Sequence, residues 1–147
     1  MLKTMIAIGL VVTTMFIGEP VRIEKQAEYT QEDIDLMARI VMSEASVLPY
    51  EGKLLVASTI DNRKNSKNFP NTIKEISNAY STNDNGEPTD DCFKAVLQII
   101  ENNPFPDDLF YFRTGRSHSW GFVYAIIDNT FFTTDSDWEA KVNGCDR

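Results

Sequence analysis

Apolar and polar residues alternate at helical spacing from residue 30 onward. The apolar positions that share one face of this segment are Ile34, Met37, Ile40 and Val41. A period near 3.6 residues predicts an amphipathic helix. Thr30 and Asp33 form a variant of the capping box, with Asp in place of the usual Glu, so we expect the helix to begin at Thr30. Its end is expected between residues 45 and 49.

A second helix is predicted from Tyr50 to Asn65, and apolar residues surround most of its circumference. A helix of this kind is usually buried. Thr72 and Glu75 form a full capping box that opens a short third helix, and Thr89 is expected to cap a fourth. The predicted apolar face of the fourth helix carries Phe93, Val96, Leu97 and Ile100.

The pattern changes after Asn103-Pro104, which ends the fourth helix. Aromatic and β-branched residues at 109–112 and 122–132 suit strands. Asp128-Asn129 suits a hairpin turn between two of them. The fold class predicted is α+β: a mainly helical single domain with a small antiparallel sheet in its C-terminal part.

The N-terminal segment differs from the rest. Lys3 is followed by an apolar run over residues 4–18, which is typical of a signal peptide. The run is short for a membrane span, which needs roughly 20 apolar residues. Because no small-x-small cleavage site follows Gly18, a membrane anchor with transient membrane association stays open, as does a buried helix. We expect an exported protein (periplasm, cell wall or extracellular), with residues 19–29 as a linker and 30–147 as the folded, functional domain.

The net negative charge of the chain limits the kinds of molecule that it is expected to bind. The chain has 147 residues, 42% of them hydrophobic, and a formal net charge of -8. Its length suits one domain with a real core. A nucleic-acid partner is not expected, because there is no basic footprint to neutralise phosphates. Nothing in the sequence predicts an oligomer.

The two cysteines are Cys92 and Cys145. In an exported protein an even pair predicts one disulfide, here between the start of the fourth helix and the tail. Two free thiols are the alternative in a reducing compartment.

Glu44 lies on the apolar side of the first helix when residues are placed at about 100° each. Desolvation there raises the pKa of a carboxyl group, and the nearby helix C-terminus acts in the same direction. A Glu that holds its proton near neutral pH can protonate the leaving oxygen of a glycosidic bond. The alternative is a structural Glu that pairs with a buried Arg or caps a neighbouring helix.

Arg63 is the second unusual side chain, because it follows apolar residues on one face of the second helix. A guanidinium in that position needs an acid or carbonyl partners. Glu44, Asp33 and Asp61 are the acids considered. Arg63 could equally extend to solvent at the helix end.

These residues belong to an ordered string of motifs that resembles the cell wall hydrolase family of the SleB and CwlJ kind. The similarity extends from about residue 33 to 132. It is carried by residues 35–45 (DLMARIVMSEA), 49–53, 56–57, 62–63, 69–73 and 109–113. The resemblance implies a lysozyme- or transglycosylase-like fold, peptidoglycan as substrate and lytic transglycosylase activity. It also implies that Glu44, in its Ser-Glu-Ala segment, is the catalytic residue.

Two segments depart from the family pattern. Ala79-Tyr80-Ser81 stands where the family often has Gln-Phe-Ser. Residues 127–132 replace an Ile-Gly-x-His-x-Phe pattern and lose its Gly and His. These departures bear on the substrate cleft and suit a specialised branch, such as a phage endolysin.

A lytic transglycosylase needs one carboxylate, because the sugar's own hydroxyl attacks. A hydrolase needs a second at a defined separation, for which Asp33 and Asp61 are candidates. Neither mode needs a cofactor or a metal. The side chains expected to bind substrate are Tyr50, Asn62, Arg63, Tyr80, Ser81 and Tyr111, by stacking on sugars or by hydrogen bonds; the alternative is core or rim packing.

The sequence offers three rival functions. A zinc amidase is disfavoured by the single histidine, His118. A cysteine peptidase would use Cys92 at a helix start and His118 as its base. A non-catalytic wall-binding module would use the aromatic residues to hold glycan while Glu44 is only structural.

Overall fold

The computed structural model describes residues 28–82 and 86–139. The predicted signal peptide and Cys145 lie outside the described residues. Four helices precede a three-stranded sheet: α1 (Gln31–Ala45), α2 (Tyr50–Asn65), α3 (Ile73–Ser77), α4 (Asp90–Glu101), β1 (Leu109–Thr114), β2 (Phe122–Ile127) and β3 (Thr130–Thr134). The predicted α+β class is confirmed. Within the described residues, no helix has both the length and the hydropathy that crossing a bilayer requires.

The capping box of α1 forms as predicted. The Thr30 hydroxyl accepts a hydrogen bond from the Asp33 backbone N–H at 3.1 Å, and the Asp33 carboxylate accepts one from the Thr30 backbone N–H at 2.9 Å. Two N–H groups that would otherwise lack partners at the helix start are satisfied in this way. The helix then turns its apolar stripe, including Met37 and Val41, into the core.

The second helix is the centre of the domain, with the bounds the sequence predicts. It packs against α1, α4 and β1, which leaves most of its circumference buried. Gly52 is required at its start, because a Cβ there would lie 2.7 Å from the Leu48 Cβ. The close turn from α1 into α2 depends on this absence of a side chain.

The two shorter helices differ in detail from expectation. At α3 the Thr72 hydroxyl accepts a hydrogen bond from the Glu75 backbone N–H, as a capping box requires. The Glu75 carboxylate, however, accepts from the Thr72 hydroxyl at 2.7 Å, where a full capping box has the Thr72 backbone N–H as the donor. Thr89 holds the N-cap position of α4, but its hydroxyl makes no capping bond. One residue of the predicted apolar face of α4 is wrong: Leu97 is 41% exposed and does not face the core. The buried stripe begins at the small Cys92 and contains Cys92, Ala95, Val96, Ile99 and Ile100.

The sheet is antiparallel with the order β1-β3-β2. The predicted turn between β2 and β3 is confirmed: Asp128 and Asn129 have φ of 44° and 66°. Two consecutive left-handed residues twist a tight hairpin in the sense that its strands require, and Asn and Asp tolerate this conformation best after Gly. Phe132 on the central strand is fully buried and anchors the sheet to the helices.

Candidate active site

Glu44 lies in the last turn of α1, which contains no basic residue. Its side chain is half-buried, and burial raises the pKa of its carboxyl above the usual 4.5. None of the described residues forms a hydrogen bond or an ion pair with this carboxyl. The helix C-terminus adds partial negative charge, which also favours the protonated form. Glu44 therefore has the environment that a general acid needs.

Tyr80 and Ser81 are held next to the end of α1. The Ser43 hydroxyl, adjacent to Glu44 in the chain, donates to the Ser81 backbone carbonyl. The Tyr80 ring lies parallel to Phe112, with centroids 6.2 Å apart. Its hydroxyl is buried and has no hydrogen-bond partner among the described residues. Burial raises the pKa of Tyr80; the Arg63 guanidinium opposes this increase and the charge of Glu44 adds to it, and the net change is upward. The phenol therefore keeps its proton and can donate it to a bound molecule.

Arg63 occupies the space between the rings. Its Nε donates to the Phe110 carbonyl at 2.8 Å. Its guanidinium carbon lies 5.0 Å from the ring centroid of Phe69 and 5.5 Å from those of Tyr80 and Tyr111. These distances are within the range of cation–π attraction.

Among the described residues, no hydrogen bond or ion pair joins Arg63 to Glu44, Asp33 or Asp61. Among the described residues it pairs with a carbonyl and with aromatic faces. The carbonyl bond fixes the guanidinium, and the rings replace the counter-ion. A positive charge is thereby kept close to Tyr80.

Further aromatic side chains extend this arrangement outward. Tyr111 meets Trp120 edge to face at 4.5 Å, and His118 lies 4.7 Å from the Trp120 ring. Trp120 is 47% exposed, so it forms the rim. We call the group around Arg63 the ring cluster; it consists of Phe69, Tyr80, Tyr111, Phe112 and Trp120. The sequence did not predict Trp120 and Phe69 as site residues, because each lies in a loop where no periodicity marks it.

The side chain of Asn62 forms hydrogen bonds within the protein. Its amide nitrogen donates to the carbonyls of Pro106 and Leu109 at 2.7 and 3.1 Å, and its oxygen accepts from Asn103 at 3.0 Å. The side chain is buried and all its hydrogen-bonding groups are engaged. This network ties the loop before β1 to α2, which favours a structural role over binding of N-acetyl groups.

Tyr50 also points elsewhere. Its hydroxyl donates to Gln98 on α4 at 3.0 Å. Of the predicted binding residues, Tyr80 and Tyr111 belong to the ring cluster, Arg63 lies at its centre and Ser81 lies beside it, whereas Tyr50 and Asn62 are outside it.

Asp33 and Asp61, the candidates for a second catalytic carboxylate, both form hydrogen bonds elsewhere in the domain. Asp33 belongs to the capping box at the opposite end of α1, roughly 16 Å away along the helix axis at about 1.5 Å per residue. Asp61 is buried and accepts from the Tyr29 hydroxyl at 2.5 Å and from Asn103 at 2.9 Å. Each of the two carboxylates is thus held by hydrogen bonds of its own.

Comparison with known proteins decides the family. The sequence model described as Cell Wall Hydrolase matches residues 48–133, which is more than half of the 147-residue chain. The chain belongs to the cell wall hydrolase family. The predicted membership is thereby confirmed. The matched segment begins after Glu44, so the assignment of Glu44 rests on its own motif and on the geometry described above.

Several relatives of this cell wall hydrolase are spore cortex-lytic enzymes. That of Oceanobacillus iheyensis is 40% identical over 99 residues, which cover 62% of this chain and 36% of that protein. That of Bacillus subtilis is 33% identical over 104 residues, covering 63% of this chain and 34% of that protein. The chain thus aligns with about a third of the length of these relatives.

Two solved structures share the fold. The catalytic domain of Bacillus cereus SleB superimposes with a TM-score of 0.63 at 29% identity, over 72% of this chain and 92% of that one. The catalytic domain of the germination-specific lytic transglycosylase SleB from Bacillus anthracis gives 0.60 at 28% identity, over 72% and 97%. The lysozyme- and transglycosylase-like fold is confirmed.

In this cell wall hydrolase Cys92 forms no disulfide within the described residues and is fully buried. Its sulfur contacts the Thr89 hydroxyl at 3.4 Å and the Met42 sulfur at 4.0 Å. Because Cys145 lies outside the described residues, the disulfide between Cys92 and Cys145 stays a prediction. His118 lies in the contacts of Tyr111 and Trp120 instead. A buried thiol without the histidine beside it cannot act as an accessible nucleophile.

Proposed function

We propose that this cell wall hydrolase cleaves the glycan strand of peptidoglycan as a lytic transglycosylase, with Glu44 as the catalytic acid. The observation that supports this most strongly is the half-buried Glu44 carboxyl, with its raised pKa, beside Tyr80. Family membership supports the substrate class, and the likeness to a solved lytic transglycosylase supports the reaction type.

A single carboxyl group is sufficient for both proton transfers. Protonated Glu44 gives its proton to the glycosidic oxygen as the bond from that oxygen to the anomeric carbon breaks. The muramoyl residue's own hydroxyl then attacks the positively charged anomeric carbon. Glu44, now a carboxylate, removes the proton of this hydroxyl as the new carbon–oxygen bond forms. The product is an anhydro sugar, and the acid is returned to its starting form.

The surrounding groups suit this sequence. Arg63 supplies positive charge in a half-buried site, and the Tyr80 hydroxyl is an available donor for the Glu44 carboxylate or for a sugar oxygen. Tyr111 and Trp120 offer partly exposed rings on which the apolar face of a sugar can pack. Asp33 and Asp61 are both engaged in hydrogen bonds within the protein, which favours the transglycosylase over a hydrolase that needs two carboxylates.

The test is mass spectrometry of the soluble products released from purified peptidoglycan by the wild type, Glu44→Gln and Cys92→Ser. We expect anhydromuramoyl products from the wild type and Cys92→Ser, and none from Glu44→Gln. Reducing-end products, heavier by one water, would replace the transglycosylase with a muramidase. Activity that survives Glu44→Gln and is lost in Cys92→Ser would contradict the proposal in favour of a cysteine peptidase.

Peptidoglycan lies outside the cytoplasmic membrane, so the proposal includes export through the N-terminal segment. Residues 1–18 would serve as a signal peptide or an anchor. Fractionation of cells that express the full chain tests this: we expect the protein in the exported or membrane-bound fraction. Accumulation in the cytoplasm with an intact N-terminus would contradict export.

A further inference from the structure

Two adjoining cavities lie outside the Glu44 site. The first has a volume of about 510 Å³ and the second of about 330 Å³. Phe105, Asp107 and Asp108 line both, so the cavities form one open depression. We call it the distal groove; the residues that carry its chemistry are Asn65, Asn103, Phe105, Asp107, Tyr124 and Trp138. Neither cavity is lined by Glu44 or by a member of the ring cluster.

The aromatic end of the distal groove is a fixed apolar wall. Tyr124 meets Trp138 edge to face at 4.9 Å and Phe105 at 6.2 Å. The Trp138 indole nitrogen donates to the Val123 carbonyl at 3.3 Å, which holds the ring in place. Because all three rings are only partly buried, this wall presents aromatic surface to a ligand.

The polar end is rich in acceptors. Asn65 is exposed and donates its amide N–H to Asp61 at 3.2 Å, which leaves its carbonyl oxygen for a ligand. Asp107 is exposed, and within the described chain its carboxylate makes no hydrogen bond or ion pair. Such oxygens recognise molecules that donate hydroxyl and amide N–H groups.

This combination selects one class of ligand. An N-acetylated amino sugar has an apolar C–H face that packs on aromatic rings, and a rim of hydroxyl and acetamido N–H donors. The carboxylates of Asp61, Asp107 and Asp108 on the first cavity repel anionic polymers. The volumes lie in the range of ordinary ligand pockets. We infer that the distal groove binds an uncharged stretch of N-acetylated amino-sugar strand.

The groove is placed to act together with the Glu44 site. Phe110 lines the first cavity and packs on Phe69 of the ring cluster, with centroids 5.0 Å apart. The distal groove and the ring cluster are therefore in contact through this pair of rings. One part of a long strand is held in the distal groove while another part is cut at Glu44. This inference depends on the proposed function only for the class of substrate.

The two tryptophans provide separate reporters for a binding experiment. Trp120 belongs to the ring cluster and Trp138 to the distal groove, and the chain contains no other. The full-length Glu44→Gln chain is titrated with a tetramer of N-acetylglucosamine, and the two indole N–H signals are followed by NMR. Trp138→Ala and Asp107→Ala are made in the same background. Phe122→Ala is the matched control, since Phe122 is an exposed ring on the strand of Tyr124 and lines neither cavity.

We expect the Trp138 signal to shift on titration with a dissociation constant of its own. Asp107→Ala should weaken the binding seen at Trp138 by about fivefold to tenfold, and Phe122→Ala should leave it unchanged. Trp138→Ala should lose retention on insoluble peptidoglycan. A Trp138 signal that does not move, or equal binding by Asp107→Ala and its parent, would overturn the inference.

Failure of the inference is distinguishable from failure of the proposed function. In the active chain, Trp138→Ala should cut short soluble fragments at the wild-type rate and insoluble wall more slowly. If the wild type cuts no peptidoglycan and the tetramer still binds at Trp138, the groove stands and the proposed function fails. If cutting is normal on both substrates in Trp138→Ala, the groove has no part in holding the strand.

Discussion

Replacement of Tyr80 by Phe removes a single hydroxyl group. We expect this change to lower the activity and to leave the stability unchanged or higher. The hydroxyl is buried without a partner among the described residues, while the ring stacks on Phe112 and faces Arg63. Tyr80→Phe keeps both ring contacts. Any change therefore reports on the hydroxyl alone.

The magnitudes follow from the cost of an unsatisfied buried group. A buried hydroxyl without a hydrogen bond costs about 1–3 kcal/mol, so its removal should leave the free energy of unfolding unchanged or raise it within that range. A hydrogen bond to a charged group is worth about 1.5–3 kcal/mol. If the hydroxyl makes that bond only when substrate is bound and the Glu44 carboxylate forms, its loss lowers kcat/KM by about 10- to 150-fold.

The assay combines thermal unfolding with the initial rate of release of soluble fragments from peptidoglycan. Tyr50→Phe is the control, because its hydroxyl bonds to Gln98 on α4 and should affect activity little. A Tyr80→Phe variant that is less stable and fully active would refute the reasoning. It would show that the hydroxyl has a structural partner and no role at the site.

Three further variants test separate parts of the structure. Burial raises the pKa of Glu44, so the folded state binds the carboxyl proton more tightly than the unfolded chain does. This proton therefore contributes its whole share to the free energy of unfolding below pH 4.5, the ordinary pKa. The contribution is lost as the pH rises through the raised pKa of the folded state. Glu44→Gln should therefore raise Tm relative to the wild type at pH 8, with the difference vanishing near pH 4; a difference that is constant with pH would contradict a raised pKa. Asn62→Ala removes the side-chain donor of the Pro106 and Leu109 carbonyls and one of the partners of Asn103, and should lower the free energy of unfolding by about 2–4 kcal/mol in urea titration. A loss of activity without a loss of stability would return Asn62 to the substrate site. Gly52→Ala forces a Cβ to within 2.7 Å of Leu48 and should cost about 1–3 kcal/mol, so a neutral effect on Tm would show that the turn into α2 gives way easily.

The local features of the fold were predictable because neighbouring residues determine them. The Thr30 cap, the bounds of α2 and the Asp128-Asn129 turn each depend on a few adjacent side chains. The face of α4 was misplaced by one residue because hydrophobicity marks Leu97 more strongly than the small Cys92, whereas packing against α1 and α2 buries Cys92.

Only the part of the site that lies on α1 could be predicted, from the spacing of residues along that helix. Glu44 could be found because a carboxyl in an apolar stripe stands out at helical spacing. The partners of Arg63 could not, because Phe69, Tyr80 and Tyr111 come from three separate segments that meet only in the folded chain. Asn62 was assigned to substrate for the same reason: its acceptor groups, Pro106 and Leu109, are more than forty residues away in the chain.

The central claim is that the Glu44 carboxyl is the acid that cuts the glycan strand. Its most direct test is the rate of turbidity loss of purified wall suspensions with wild type and Glu44→Gln, both shown to be folded by circular dichroism. Loss of a general acid should lower the rate by about 10²- to 10⁴-fold while binding to the wall persists. A folded Glu44→Gln chain that clears the suspension at the wild-type rate would contradict the account.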